Sequence, residues 1–426
     1  MNSAECVLPD VTLIGYPLGW TGRAEHVRAV CRALDAAGVG ANLYNAGGHD
    51  PSDARTDAEF QSRLTDRVPA GIRIYSLNGD EVEGGINAIE KRARGSFRAG
   101  YNIAFPAWEL PRYPYVWARQ LDRFDEVWTA SPFADESIRP AVTVPVFQLP
   151  NACEPHIRAL RERSYFGIPE DRFVVLFYFD SASYTSRKNP AAVIETFRRL
   201  IAMRPSAPVH LVIKLNNSSY DPAIAETIKA ETAAFRDRVT VVDATLTSDE
   251  AKSLVRCCDC FLSLHRSEGF GRGPAEAMFF GKPAVATGWS GNMEYMNSQV
   301  SFPVDYRLIP VNDGEYPHWQ NQAWADPDID HAASILVRLV DDPTDAKAVG
   351  ERARVHMQTN YSDATIGRRY RARLEAIVDA AAGTPTRTAY SSRLFAPPKA
   401  GLLPKIRSWT LFGGRKRTRS NPPHTS

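Results

Sequence analysis

The sequence predicts an α/β protein made of two consecutive doubly wound domains. Three observations carry this. Short apolar runs alternate with segments of helical period, the rhythm of a parallel sheet covered by helices on both faces. That rhythm breaks near residue 150 and then restarts. A chain of 426 residues is also long enough to bury two cores. Apolar residues at 44% and charged residues at 23% are ordinary for a soluble globular chain.

Residues 11–14 read as the first strand. After the turn from Gly15 to Gly22, the apolar positions Val27, Val30, Cys31 and Leu34 recur at helical spacing until Gly38 stops the helix. Residues 41–44 form the second strand, and further strands are expected at 73–77, 101–105, 126–129 and 142–149. Pro150-Asn-Ala-Cys-Glu-Pro155 breaks the period and places a linker within residues 150–168. Strands then resume at 173–179, 209–214, 239–242, 260–264 and 283–286, with helices at 190–203, 221–235 and 248–256. This divides the chain into a first domain over residues 1–153 and a second over 154–360, followed by a tail over 385–426.

The tail carries nine Lys and Arg and no Asp or Glu, leaving 42 basic residues against all 49 acidic ones in the rest. It is rich in Pro, Ser, Thr and Arg and reads as disordered. Within it, the run from Leu402 to Phe412 mixes bulky apolar and basic residues. Two readings stand level there: a shallow anchor on a membrane surface, and a solvated tail.

No apolar run approaches the ~20 residues that span a bilayer, and the N-terminus lacks a signal-peptide pattern. A cytoplasmic location is expected, peripheral at the inner membrane face if the tail anchors. No nucleic-acid partner is expected. The six cysteines suggest no disulfide framework. Cys257, Cys258 and Cys260 cluster, but no second Cys/His group accompanies them, so core packing is expected and no metal. An Asp-x-Asp motif flanked by an apolar strand is also lacking.

The chemistry concentrates in the segment from Ser263 to Glu276. A strand ends at a polar, glycine-rich turn, and a helix follows with Pro274 in its first turn and Gly281 as its stop. Strand, glycine turn and helix N-terminus together converge backbone N–H groups on anions or hydroxyls. Glu268 lies in the turn and Glu276 on the helix. Two carboxylates there would repel phosphate, so they suit the hydroxyls of a nucleotide sugar. Transfer from such a donor leaves a diphosphate that gains negative charge as the bond breaks, and fixed positive charge stabilises it. Arg187 and Lys188, after one strand and just before the helix starting at Asn189-Pro190, are placed for that task.

The paired glutamates, the Gly269-Phe270-Gly271 between them and Ala286-Thr-Gly-Trp-Ser-Gly-Asn292 resemble the donor-site signature of glycosyltransferase family 4, retaining enzymes of the GT-B fold. The run from Phe179 to Pro190 resembles that family's diphosphate-binding segment. Trp324-Ala-Asp-Pro-Asp328 and Ala107-Trp-Glu-Leu-Pro111 are similar to blocks of bacterial polysaccharide-assembly members of mannosyl or rhamnosyl type.

The resemblance implies two Rossmann-like domains facing across a cleft, with a last helix within residues 361–384 crossing back onto the first. It implies hexose transfer, with retention, from a nucleotide-diphosphate sugar to a saccharide or lipid-linked saccharide. No cofactor or metal is implied. Glu268, Arg187 and Lys188 take the catalytic positions; Gly269, Phe270, Gly271, Glu276, Asn189, Gly19 and Gly22 take donor-binding ones; Trp108 and Glu109 fall on the acceptor side. The family's first-domain histidine has no aligned counterpart, since neither His26 nor His49 sits in a matching motif. Two rivals are a GT-B relative such as a sugar-nucleotide epimerase, decided by the product of a donor-only incubation, and a catalytically silent assembly scaffold.

Overall fold

The computed structural model describes residues 8–47, 58–93 and 95–382. The expected tail over 385–426, with its candidate anchor, lies outside them, as does His49. The apolar runs form two six-stranded sheets.

The first contains β1 (Val11–Gly15), β2 (Ala41–Asn45), β3 (Ile72–Tyr75), β4 (Tyr101–Ala104), β5 (Glu126–Thr129) and β6 (Val146–Gln148), in the order β2-β1-β3-β4-β5-β6. Every pairing in it is parallel. The connecting helices are α1 (Gly22–Ala36), α2 (Ala58–Gln61), α3 (Val82–Lys91), α4 (Tyr115–Leu121) and α5 (Pro132–Ile138). Thr21 caps α1 by accepting from the Ala24 N–H at 3.3 Å. The strand expected over 142–149 begins only at Val146, because Pro145 ahead of it has no N–H to give a ladder.

The second sheet contains β7 (Phe173–Asp180), β8 (Val209–Asn216), β9 (Val239–Asp243), β10 (Cys260–Ser263), β11 (Ala284–Thr287) and β12 (Phe302–Val304), ordered β12-β11-β10-β7-β8-β9 and again parallel. Its helices are α6 (Thr185–Lys188), α7 (Pro190–Met203), α8 (Ile224–Thr232), α9 (Ser248–Cys257) and α10 (Arg272–Phe279). The helix expected over 221–235 is shorter: Pro222 sits ahead of its start, and it passes into a 3-10 turn at Ala233. The Thr247 side chain and Glu250 form a reciprocal capping box on α9. Strand order reverses between β7 and β10, so the chain leaving these two strands diverges and opens a crevice at their carboxyl ends.

Strand β12, the strands over 306–310 and 323–327 and the helices over 329–341 and 343–361 were not expected. Strand β12 is three residues with a central Pro303, tolerated because it is an edge. The Trp324 block lies in a strand: β14 (Ala323–Pro327) pairs antiparallel with β13 (Tyr306–Pro310). The chain between them packs into the first sheet's apolar cluster through Val311 and Tyr316.

Helices α11 (Ile329–Asp341), α12 (Pro343–Tyr361) and α13 (Asp363–Ala382) end the described residues. Helix α13 lies along α1, so close that a Cβ on Gly367 would stand 1.9 Å from the Ala33 carbonyl oxygen. Its Tyr370 stacks on Trp128 of β5 at 5.4 Å and donates to the Pro150 carbonyl at 2.8 Å. Arg373 pairs with the fully buried Glu126. One apolar cluster therefore runs from the first sheet through α13 to α10. Cys257, Cys258 and Cys260 are buried free thiols packed at the end of α9 and the start of β10.

Candidate active site

A cleft of about 560 Å³ lies between the two sheets, walled by the turns that leave β1, β7 and β10 and by the start of α10. The switch point of the second sheet explains what meets there. The chain leaving β7 carries Arg187 and Lys188, and the chain leaving β10 carries Glu268, 80 residues later.

Arg187 is 3% exposed. Its Nη1 donates to the Ser267 carbonyl at 2.8 Å and lies 3.2 Å from Glu268 Oε2, while its Nη2 is 3.8 Å from Glu109 Oε1. The Lys188 amine pairs with Glu268 Oε1. Burial disfavours the Glu268 charge, but Lys188 and Arg187 outweigh it and hold the carboxyl at about 2. Burial and then Arg187 pull the Lys188 ammonium below its usual value, with Glu268 working against them. The pair stays ionised because the carboxylate stands between the two cations.

The backbone of this turn is set by contacts that leave no space. A Cβ on Gly269 would meet the Trp108 carbonyl oxygen at 2.8 Å, and one on Gly291 would meet the Gly269 carbonyl oxygen at 2.1 Å. Gly271 has φ 83°, which favours glycine, and precedes α10. The Glu268 N–H donates to Ser290 Oγ at 2.9 Å. His265 is fully buried, bonded to Ser263 Oγ and Asn292 Oδ1 at 3.0 Å each, and burial pushes it down to about 4. It braces the turn.

Of the expected donor residues, Gly19, Gly22, Gly269, Phe270 and Glu276 line the cleft with Arg187, Lys188 and Glu268. Asn189 does not: its amide donates to the Leu264 carbonyl at 3.0 Å and pins the chain leaving β7 to the end of β10. Gly271 is likewise off the wall, its carbonyl taken by the Tyr295 hydroxyl. Trp108 is 1% exposed, packed edge-on against Tyr113, Trp117 and Tyr316 with its indole N–H on the Arg112 carbonyl at 3.1 Å. Trp108 borders the cleft, but its ring offers no open face for stacking. Glu109 does reach the cleft, next to Arg187 and bonded by the Tyr316 hydroxyl.

Glu276 is 5% exposed and belongs to a buried ion network. Its Oε1 takes Lys252 Nζ at 3.1 Å and Arg272 Nη2 at 3.2 Å; among the described residues its Oε2 has only a 3.4 Å contact from the Tyr178 hydroxyl. One oxygen therefore keeps lone pairs for a ligand hydroxyl. Lys252 also contacts Glu25 of α1 at 3.2 Å, and Glu25 further holds Arg32 at 2.7 Å and Arg28 at 2.9 Å. Burial opposes the Glu25 charge, but Lys252 and the arginines hold its carboxyl well below the usual range. The reading from sequence had no role for Lys252, Arg272 or Tyr316. His26 also lines the cleft: Nδ1 lies 3.1 Å from Ser76 Oγ, Nε2 has no hydrogen-bond partner among the described residues, and burial pushes it down to about 3.

Residues 174–316 match a family model described as glycosyl transferases group 1. No curated protein matches the chain. Among solved structures, a sucrose-phosphate synthase from Thermosynechococcus elongatus is 17% identical, with 87% of this chain and 99% of that one covered at a TM-score of 0.62. Anabaena HepE in complex with UDP is 15% identical, with 86% and 100% covered at 0.59. A glycosyltransferase from Rickettsia africae is 15% identical, with 87% and 98% covered at 0.58. At such identities the likeness is one of fold. The fold is GT-B, two Rossmann-like halves across a cleft.

Proposed function

We propose that the protein is a retaining hexosyltransferase that takes a nucleotide-diphosphate sugar as donor and a saccharide, free or lipid-linked, as acceptor, in the assembly of a surface polysaccharide or glycoconjugate. The observation that carries this reading is the meeting of Arg187, Lys188 and Glu268 at the second sheet's switch point, beside the N-terminus of α10. Around the cleft, seven Lys and Arg side chains face five carboxylates. That surplus of two positive charges matches the charge of a nucleotide-diphosphate sugar.

In the proposed reaction the diphosphate lies between the Gly19–Gly22 turn and the start of α10. The bond from the anomeric carbon to the phosphate oxygen breaks, and the electron pair goes to the diphosphate, stabilised by Arg187 and Lys188. The acceptor oxygen bonds to the anomeric carbon from the same face, and its proton passes to the departing phosphate oxygen. Glu268 accepts sugar hydroxyls and supplies negative charge beside the cationic transition state. Glu276, through Oε2, accepts the ribose hydroxyls. These roles require no metal. The residue match with the family model and the GT-B likeness of the HepE complex with UDP support the donor class. Among the described residues no helix is long and apolar enough to cross a membrane. We place the protein in the cytoplasm, with the basic tail touching the inner membrane face.

The test is a panel of nucleotide sugars screened by thermal stabilisation, then incubated with acceptors and the product's anomeric configuration read by NMR. A ligand at ~100 times its dissociation constant adds about 2.7 kcal/mol. Stabilisation by none of the panel overturns the donor reading, and an inverted product overturns retention.

A further inference from the structure

Lys214, near the carboxyl end of β8, lines the cleft and is only 7% exposed. It has no part in the reaction proposed above. Its ammonium donates to the Leu215 carbonyl at 2.8 Å and has one further contact, 3.5 Å to Asn216 Oδ1. It forms no ion pair among the described residues. Asp180, at the end of the neighbouring β7, is instead taken by the side chains of Asn216 at 3.3 Å and Asn217 at 2.9 Å. Burial accordingly pulls the Lys214 ammonium down to about 8, with Asp180 and then Asp243 opposing it. An ammonium has three donors and no acceptor, and a buried one without a counter-ion is costly. What it lacks is an acceptor from outside the chain.

Its place in the sheet says which part of a ligand it meets. Lys214 stands opposite Tyr178 in the parallel pairing of β8 with β7. Such neighbours are about 4.8 Å apart and project from the same face of the sheet. Tyr178 also lines the cleft, and its hydroxyl is 3.4 Å from Glu276 Oε2, the oxygen assigned above to the ribose. Lys214 therefore lies one strand beyond the ribose position, on the side of β7 away from β10. Arg187, Lys188 and Glu268 gather on the opposite side, where the chains leaving β7 and β10 meet.

The wall beside Lys214 is apolar. Deeper on the same face, Leu176 and Val212 pack with Leu254 of α9 and Phe261 of β10, and Tyr178 and Leu246 border that cluster. Leu246, Ala251 and Leu254 reach the cleft from the start of α9. An apolar wall with one convergent donor suits a flat ring that is apolar on its faces and polar at its edge. A sugar ring would bring several hydroxyls and find no carboxylate to accept them.

We propose that Lys214 reads the nucleobase of the donor, its ammonium donating to the carbonyl oxygen O4 of uracil or O6 of guanine while Leu246, Ala251 and Leu254 cover the base's apolar face. Cytosine and adenine carry an amino group at that position, so donor would meet donor and the base is rejected. This rests on the donor reading and adds the class of base, oxo rather than amino.

The experiment is calorimetry on the full chain with UDP, CDP, GDP, ADP and inorganic pyrophosphate. In the wild type the oxo member of the tighter-binding pair, UDP over CDP or GDP over ADP, should bind at least about tenfold more tightly than its amino partner. Lys214→Met keeps the stem and removes the charge. It should bring that ratio within about threefold, with pyrophosphate affinity within about twofold of wild type. Lys214→Gln supplies an acceptor as well as donors and should narrow the ratio likewise; it decides together with the wild type if Lys214→Met does not fold. A wild-type ratio below tenfold overturns the proposal, as do variants that keep the wild-type ratio. Pyrophosphate affinity lost as fully as that of the oxo nucleotide assigns Lys214 to the phosphates and also overturns it. A wild type that binds none of the five ligands overturns the donor reading and this proposal with it.

Discussion

Glu268→Gln should separate nucleotide binding from turnover, moving them in opposite directions. A carboxyl held at about 2 instead of 4.5 prefers its charged form by about 3 kcal/mol, and that preference is its attraction to Lys188 and Arg187 net of burial. An incoming diphosphate competes with Glu268 for the same two cations. Removing the negative charge while keeping the shape frees up to that amount for the ligand. If half of it is realised, nucleoside diphosphate should bind about tenfold tighter. Turnover should fall about a hundredfold or more, because the negative charge beside the developing cation is gone.

The gain in affinity should also shrink as pH rises. Without Glu268, burial and Arg187 act on the Lys188 ammonium unopposed by its partner, so it loses its proton at lower pH. Calorimetry with UDP and GDP at pH 6.5 and 9, beside single-turnover rates, reads both effects. Diphosphate binding more than threefold weaker in the variant, or turnover within threefold of wild type, would refute the reasoning. Lys188→Ala is the counterpart: affinity and turnover should fall together, and the fold should lose about 3 kcal/mol because buried Glu268 keeps only Arg187.

Gly291→Ala would place a Cβ 2.1 Å from the Gly269 carbonyl oxygen and 2.7 Å from that of Glu268, so it should displace the turn and cut turnover at least about tenfold with a lower melting point. Gly367→Ala should lift α13 from α1 and cost about 3 kcal/mol in urea titration, with nucleotide affinity much less affected. His26 and His265, held at about 3 and 4, stay neutral in the folded protein while the unfolded chain takes up their protons near 6.5. Stability should therefore be lost as pH falls from about 6.5 toward 4, by about 2–3 kcal/mol per pH unit for the two together; urea midpoints unchanged between pH 7 and 5 would contradict this. Truncation after Gly383 should leave transfer to a soluble acceptor intact and reduce sedimentation with anionic liposomes, whereas equal sedimentation of both forms would exclude the tail as an anchor.

The strands that position the cleft were legible because buried parallel strands are continuous apolar runs, and β7, β8 and β10 are almost wholly buried. Glu268 and the Arg187-Lys188 pair were legible for a related reason: each follows such a strand at a glycine or proline boundary. What escaped had no local signature. Strand β12 is too short and contains Pro303, while β13 carries exposed residues on both faces, so neither shows a period. Asn189 was expected among the donor ligands from the family resemblance, yet its amide is taken by the end of β10. Trp108 follows a strand as a binding aromatic would, and only tertiary packing shows that its ring is enclosed.

Lys252 shows most clearly why a sequence cannot report such partners. It sits on the buried side of α9, where a helical lysine ordinarily lies in water, and nothing near it in the chain is its counter-ion. Its partners are Glu276, 24 residues away, and Glu25, 227 residues away on the other half of the molecule. A buried ammonium is tolerable only when paired, and each of these carboxylates needs a cation for the same reason. The three charges are therefore a single unit that exists only when the two halves face each other. The cleft-lining carboxylate Glu276 is held in place from one side by α9 and from the other, through Lys252, by α1. Its second oxygen, contacted at 3.4 Å by the Tyr178 hydroxyl, is directed by an arrangement that neither half could make alone.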